Sequence, residues 1–163
     1  MAAAFGMRIA VYDPFQSAEA IREAGAEPVG SIAAGLATAD VVSLHVPKSD
    51  GGPLIGAAEL ALMQPGAILV NTARGDLIDE DALADALDEG RIAGAGLDVF
   101  ATEPPSGGAR LLRGDRTVLT PHSAALTREC AARMSQVAAQ NIVDFFDGRL
   151  DPRLLANRPL YQP

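Results

Sequence analysis

The sequence predicts an α/β protein built on a parallel sheet, and three observations carry that reading. Short β-like runs alternate with helical patterns along the chain. The runs are mostly continuous apolar stretches rather than alternating ones, as expected of parallel strands buried on both faces. The helical segments fall between them, where parallel strands need crossover connections.

Taken in order, RIAVYDPF gives a strand over 8–13 that ends in Asp13 and a turn-making Pro14. A helix follows over 17–24, then a weak strand near 27–29 and a helix over 31–38. DVVSLH reads as a strand over 40–45, followed by a helix over 56–63, and AILV as a strand over 67–70. The helix over 79–89 shows its logic plainly. Asp79 caps it, Glu80 and Asp81 put negative charge in its first turn, and Leu83, Ala86 and Leu87 repeat on one face before Gly90 ends it. AGAGLDV forms a strand over 93–99 and TVL one over 117–119, with a flexible loop at Ser106-Gly107-Gly108 between them. The last helix, 127–147, carries Met134, Ala138, Ile142 and Phe145 along one side and stops at Gly148.

Composition narrows the function classes. A chain of 163 residues with 48% hydrophobic and 21% charged residues fits one globular domain with a real core. A net charge of −8 argues against a nucleic-acid partner, which would call for a basic face. The loose group Arg110, Arg113 and Arg116 reads as a solvated loop. One cysteine, Cys130, cannot form an internal disulfide, and its helix offers no neighbouring histidine, so it reads as a packing residue in a reducing, cytoplasmic protein. No apolar run is long enough to span a bilayer, and no metal site is expected.

Chemistry collects at the strand ends. Beyond 67–70, NTARGDLID places Arg74 in the loop at a strand's carboxyl end, where ligands bind in open α/β sheets. Its planar fork matches a carboxylate bidentately, although a surface salt bridge or a cap for the next helix would suit the same position. GLDVFATEPP then places Asp98 at the next strand end and Glu103 in its loop, and LTPHSAALT places His122 in the loop after that. Three successive strand ends therefore supply an arginine, a carboxylate and a histidine to one edge of the sheet. A carboxylate beside a histidine fixes its tautomer and favours the protonated ring, giving an acid–base pair beside an anion clamp. Gly94 and Gly96 have Val99 where a dinucleotide turn would need its third glycine, and they read as strand.

The segments NTARGDLIDEDAL, GLDVFATEP and LTPHSA, in this order and at these distances, resemble the signature segments of the D-isomer-specific 2-hydroxyacid dehydrogenases. That family includes phosphoglycerate, glycerate and D-lactate dehydrogenases, and the likeness runs from about residue 4 to the end of the final helix. The resemblance implies a Rossmann-like doubly wound parallel sheet. It also implies an oxidoreductase that passes a hydride between NAD and a small 2-hydroxy or 2-oxo acid, in a cleft between a nucleotide lobe and a substrate lobe. By matching motif, Arg74 would hold the substrate carboxylate and orient the carbonyl. His122 would protonate that oxygen as the hydride arrives, and Glu103 would sustain the imidazolium. Asp98 would contact the nicotinamide carboxamide, while Thr72, Ala73 and Arg74 and the run His122, Ser123, Ala124 and Ala125 would line the cofactor. His45, Val46 and Pro47 would pass near its adenine-ribose end.

Asp13 matches the acidic residue that in this family accepts hydrogen bonds from the adenosine ribose. The same charge would repel a 2′-phosphate and favours NAD over NADP; a plain turn residue before Pro14 is the other reading of the position. Relatives carry a strand and a GxGxxG turn ahead of the segment matching residues 4–7, and this sequence shows neither. Residues 1–148 therefore read as a partial NAD-binding domain without its first strand and glycine-rich loop, and 149–163 as a tail that in relatives returns to the substrate lobe. That first strand is central in the doubly wound order, so 8–13 and 40–45 are each expected to keep an open edge that pairs with the other or with another chain. The isolated chain is expected to be inactive and to form a homodimer or otherwise self-associate. An NAD-sensing binding protein and a dimerising scaffold of the same ancestry are the alternative readings.

Overall fold

Side-chain oxygens open the helices where the sequence places them. Ser17, Ser31, Asp79 and Thr127 each accept a hydrogen bond from the backbone N–H three residues on, satisfying an amide that the first helical turn leaves unpaired. In the computed structural model, which describes residues 1–47, 51–107 and 109–157, the first two caps begin α1 (Ala18–Glu23) and α2 (Ile32–Leu36). α3 (Ala57–Leu62) starts after Gly56, whose N–H donates to Glu59, and the other two caps begin α4 (Glu80–Asp88) and α5 (Arg128–Phe146). Gly90 and Gly148, the expected stops of the last two, take φ of 68° and 69°, a left-handed conformation that glycine adopts without a Cβ clash.

The strands are all parallel and form two sheets among the described residues. β1 (Ala10–Val11) pairs with β2 (Glu27–Pro28), and β3 (Val41–Leu44), β4 (Ile68–Asn71), β5 (Gly94–Leu97) and β6 (Thr117–Leu119) follow one another in order. This is the doubly wound order with its central position between β1 and β3 unfilled among those residues. The predicted strand 8–13 shortens to two residues because it has a ladder on one side only, carried by the N–H groups of Glu27 and Val29 to the carbonyls of Ile9 and Val11. β1 and β3 do not pair with each other, contrary to one of the two expectations for their edges.

Because β3 to β6 step across the sheet in one direction, right-handed crossovers put every connection on the same face. α2 neighbours α3, α3 neighbours α4, and the 3₁₀ turn Arg110–Leu112 packs against α4. Beneath them lies the core, with Leu36, Ile55, Leu60, Leu69, Leu83, Leu87, Ile92 and Leu97 buried. Leu69, Leu83 and Ile92 are wholly excluded from solvent. The opposite face carries Val41, Ile68 and Val118, all exposed. Burial on both faces, the expectation for a parallel sheet, is thus met on one.

The arginine group is exposed, as expected, and two of its members also find partners on α4. Arg110 pairs with Asp85 at 2.7 Å and with Asp88 at 2.5 Å on α4, which raises its already high pKa, and Arg116 donates to the Leu87 carbonyl at 3.2 Å near the end of α4. Arg110 thus faces the acidic side of α4 while staying open to solvent.

Two compact units emerge, Met1–His122 and the segment from Ser123 onward. The first holds all six strands. The second is α5 and the turn Pro152–Leu154; the predicted stripe lies on α5, but Met134, Ile142 and Phe145 are exposed. Cys130 is half-buried in its first turn, with its Sγ 3.7 Å from the Met134 sulfur. Residues 158–163 of the expected tail, and Gly108 of the expected loop, lie outside the described residues.

Candidate active site

Register brings the strand ends together. Leu44, Asn71, Leu97 and Leu119 form one row across the four-stranded sheet, so the residues that follow them, His45, Thr72, Asp98 and Thr120, leave the sheet along the same edge. Neighbouring strands lie about 4.8 Å apart, which separates the end of β4 from that of β6 by about 10 Å.

The loop after β4 is shaped by a buried amide. Asn71 is 1% exposed; its Nδ2 donates to the Arg74 carbonyl at 2.8 Å and its Oδ1 accepts from the Ala73 N–H at 3.0 Å. The turn Asn71–Arg74 is thereby closed on itself, with Thr72 exposed and Ala73 half-buried. Arg74 is exposed, its Nη1 donating to the Ala73 carbonyl at 2.6 Å. Among the described residues it pairs with no carboxylate, and its side chain does not cap the turn that follows.

The loops after β5 and β6 are tied to each other. Asp98 is buried, its Oδ1 accepting the Thr120 hydroxyl at 2.5 Å, and its carbonyl accepts the His122 N–H at 2.8 Å. His122 takes φ of 51°, in the left-handed region that non-glycine residues seldom occupy. Its ring Nδ1 lies 2.8 Å from Glu103 Oε2, while Glu103 Oε1 accepts the Phe100 N–H at 3.0 Å. Those bonds, that to His122 foremost, hold the Glu103 carboxyl below the ordinary glutamate range. An ionised carboxylate only accepts, so Nδ1 carries the hydrogen and Nε2 is the ring nitrogen left for other chemistry.

The remaining expected residues make local contacts of their own. Asp13, after β1, is half-buried and its Oδ1 accepts the Phe15 N–H at 2.9 Å, so it does make the turn before the helix. His45, Val46 and Pro47 are exposed after β3, and His45 Nε2 lies 2.9 Å from the Ser43 hydroxyl. Ser123, Ala124 and Ala125 open the second unit in a turn closed by the Leu126 N–H on the Ser123 carbonyl, and the last two are exposed. Gly94 and Gly96 lie within β5, as read, and not in a turn. Among the described residues no cluster of His, Cys, Asp or Glu is suited to a metal ion, and no helix is long and apolar enough to cross a membrane.

Sequence reasoning missed four residues that shape the site: Asn71, Thr120, Gly75 and Glu80. An Asn at a strand end is a turn signal that could have been read. A carbon at Cβ of Gly75 would fall 1.9 Å from the Phe100 carbonyl carbon, and Glu80 Oε1 accepts the Ala101 N–H at 2.7 Å. Both link segments more than twenty residues apart, which no local pattern reveals.

Residues 1–124 match the family model described as D-isomer specific 2-hydroxyacid dehydrogenase, NAD binding domain. The chain is 44% identical over 153 residues to a glyoxylate reductase of Aeropyrum pernix, covering 93% of this chain and 45% of that one. It is 40% identical to a D-3-phosphoglycerate dehydrogenase of Archaeoglobus fulgidus, covering 98% and 30% respectively. The crystal structure of D-lactate dehydrogenase from Aquifex aeolicus complexed with NAD and lactic acid is similar with a TM-score of 0.79 at 31% identity, over 90% of this chain and 48% of that one. The chain thus spans less than half the length of these relatives.

Proposed function

This chain belongs to the D-isomer-specific 2-hydroxyacid dehydrogenase family, and on that premise we propose that Arg74, Glu103 and His122 are the catalytic residues of an NAD-dependent oxidoreductase acting on a small 2-hydroxy or 2-oxo acid. The observation that carries the reading is the 2.8 Å contact between His122 and Glu103 at adjacent strand ends. The chain supplies this chemistry to a larger protein, with residues 1–148 as its NAD-binding part and the segment from 149 leading back to a substrate lobe.

NAD, when bound, gives or takes the hydride at the substrate carbon. The donor set fits its two ends: the Asp13 carboxylate suits ribose hydroxyls, and Asp98, with the turn Thr72–Arg74, suits the nicotinamide end. By the family resemblance His45, Val46 and Pro47 would line the adenine-ribose end, and Ser123, Ala124 and Ala125 would also line the cofactor. In the reducing direction His122 gives the proton on Nε2 to the carbonyl oxygen, which becomes the product hydroxyl. Glu103 stabilises the imidazolium before the transfer, and in the oxidising direction neutral His122 takes the proton back. Arg74 pairs with the substrate carboxylate through its planar fork and fixes which carbon faces the histidine.

The test is NADH oxidation with a panel of small 2-oxo acids, on the protein that joins this chain to its substrate lobe. His122→Asn lowers kcat by roughly 10²- to 10⁴-fold, the usual worth of a placed acid, and Arg74→Lys raises KM. Unchanged turnover in His122→Asn would sink the assignment. NADH outperforms NADPH if Asp13 reads the ribose, and equal use of the two refutes that role.

Exposed apolar residues on α5, among them Met134, Ile142 and Phe146, support self-association as a homodimer, which light scattering tests. The single cysteine supports a cytoplasmic setting.

A further inference from the structure

We propose that Glu80 is a positioning residue for the catalytic pair: from the start of α4 it holds the Phe100–Glu103 loop against the turn that follows Arg74. The proposal rests on the reading of Arg74, Glu103 and His122 as one site.

A glutamate in the first turn of a helix ordinarily complements the helix dipole, a role that needs no partner in another element. Glu80 does more. Its Oε1 accepts the Ala101 N–H at 2.7 Å, across 21 residues of sequence, from a half-buried residue. The preceding amide, of Phe100, is taken by Glu103 itself at 3.0 Å. Two consecutive N–H groups of one loop are thus each held by a carboxylate, one anchoring the loop to α4 and one fixing the residue that holds His122.

The far side of the loop is held by contact rather than by a bond. Gly75, buried, lies so close that a Cβ would come within 1.9 Å of the Phe100 carbonyl carbon, 2.2 Å of its oxygen and 2.3 Å of the Ala101 nitrogen. Gly75 directly follows Arg74. The same close approach therefore sets where the anion clamp stands relative to Glu103, and Glu80 keeps the loop from lifting away from it. When the Ala101 bond is removed, Phe100 and Ala101 gain freedom, and Glu103 holds its backbone and ring partners less firmly.

Three variants of the 163-residue chain test this by nuclear magnetic resonance, with the carboxyl carbon of Glu103 followed against pH and the exchange of the Ala101 amide followed in time. In Glu80→Ala the Glu103 midpoint moves up toward the ordinary glutamate value and Ala101 exchanges roughly tenfold faster, the scale expected for a lost charge-assisted hydrogen bond. Glu80→Gln keeps an oxygen acceptor of the same reach without the charge and retains most of both effects. Glu80→Asp keeps the charge at the helix start but is one methylene too short, and behaves as the alanine variant does; it covers the case in which Glu80→Ala fails to fold. A Glu103 midpoint that stays put in Glu80→Asp, or a glutamine variant no better than alanine, overturns the proposal. Turnover is not read, so failure of the hydride-transfer assignment shows up elsewhere and leaves this result intact.

Discussion

His122 combines an uncommon backbone with a hydrogen bond to a carboxylate. Its φ of 51° costs a non-glycine residue on the order of 1 kcal/mol, and the N–H bond to the Asp98 carbonyl helps keep it there. The ring is then delivered to Glu103. Because the folded state lowers the Glu103 pKa, through His122 first and the Phe100 amide second, its contribution to stability is present above the ordinary glutamate value and is lost as pH falls through the folded one. The Glu103 carboxyl should therefore titrate below an ordinary glutamate in a carbon-detected pH series, and in His122→Ala its midpoint should rise. An unmoved midpoint would show that the pair does not persist in solution. Arg74, Glu103 and His122 stand out as candidates in the sequence because each sits in a motif with its own chemistry. Asn71 was legible only as a turn signal, and Thr120 not at all, since its work depends on the neighbouring strand end that folding supplies.

The elements were legible wherever a cap, a periodic face and a stop coincided. α4 is the clearest case: Asp79 caps it, Leu83, Ala86 and Leu87 are buried, and Gly90 ends it, as the sequence indicates. Strand lengths were less so, because they depend on partners; β1 keeps only two residues for want of a second neighbour. Gly75 lies between these cases, a glycine whose need is visible only once Phe100 is placed beside it. Gly75→Ala should destabilise the chain by roughly 2–3 kcal/mol, the cost of forcing a methyl group into packed structure with backbone rather than a flexible side chain in the way. Leu83→Ala, which empties part of the core without touching the site, should cost about as much or more. Urea unfolding measures both. The two should differ at the site, where Gly75→Ala shifts the Glu103 and His122 resonances and Leu83→Ala leaves them in place; similar spectra would show that the close approach does not set the site.

At the scale of the molecule, the family's sheet is divided. β1 and β2 stand as one pair and β3 to β6 as another sheet, and the face carrying Val41, Ile68 and Val118 is exposed. Among the described residues, no strand leads through a GxGxxG turn into a helix N-terminus, the cradle in which backbone N–H groups and the helix dipole hold a pyrophosphate. On the proposed reading Asp13 and the turn Thr72–Arg74 would contact the two ends of NAD, while its pyrophosphate would meet no such cradle among the described residues. Two charge-assisted hydrogen bonds to a phosphate contribute roughly a hundredfold in affinity or more. Calorimetry with NAD on the 163-residue chain should therefore show weak binding. A version preceded by a parallel strand and a glycine turn should bind at least a hundredfold more tightly, and the added strand should also slow amide exchange at Ala10, Val41 and Ser43 as the open edges of β1 and β3 become paired. Equal affinity in the two chains would mean that the pyrophosphate is held by groups other than a glycine turn, and tight binding with exchange unchanged would mean that the added strand does not enter the sheet.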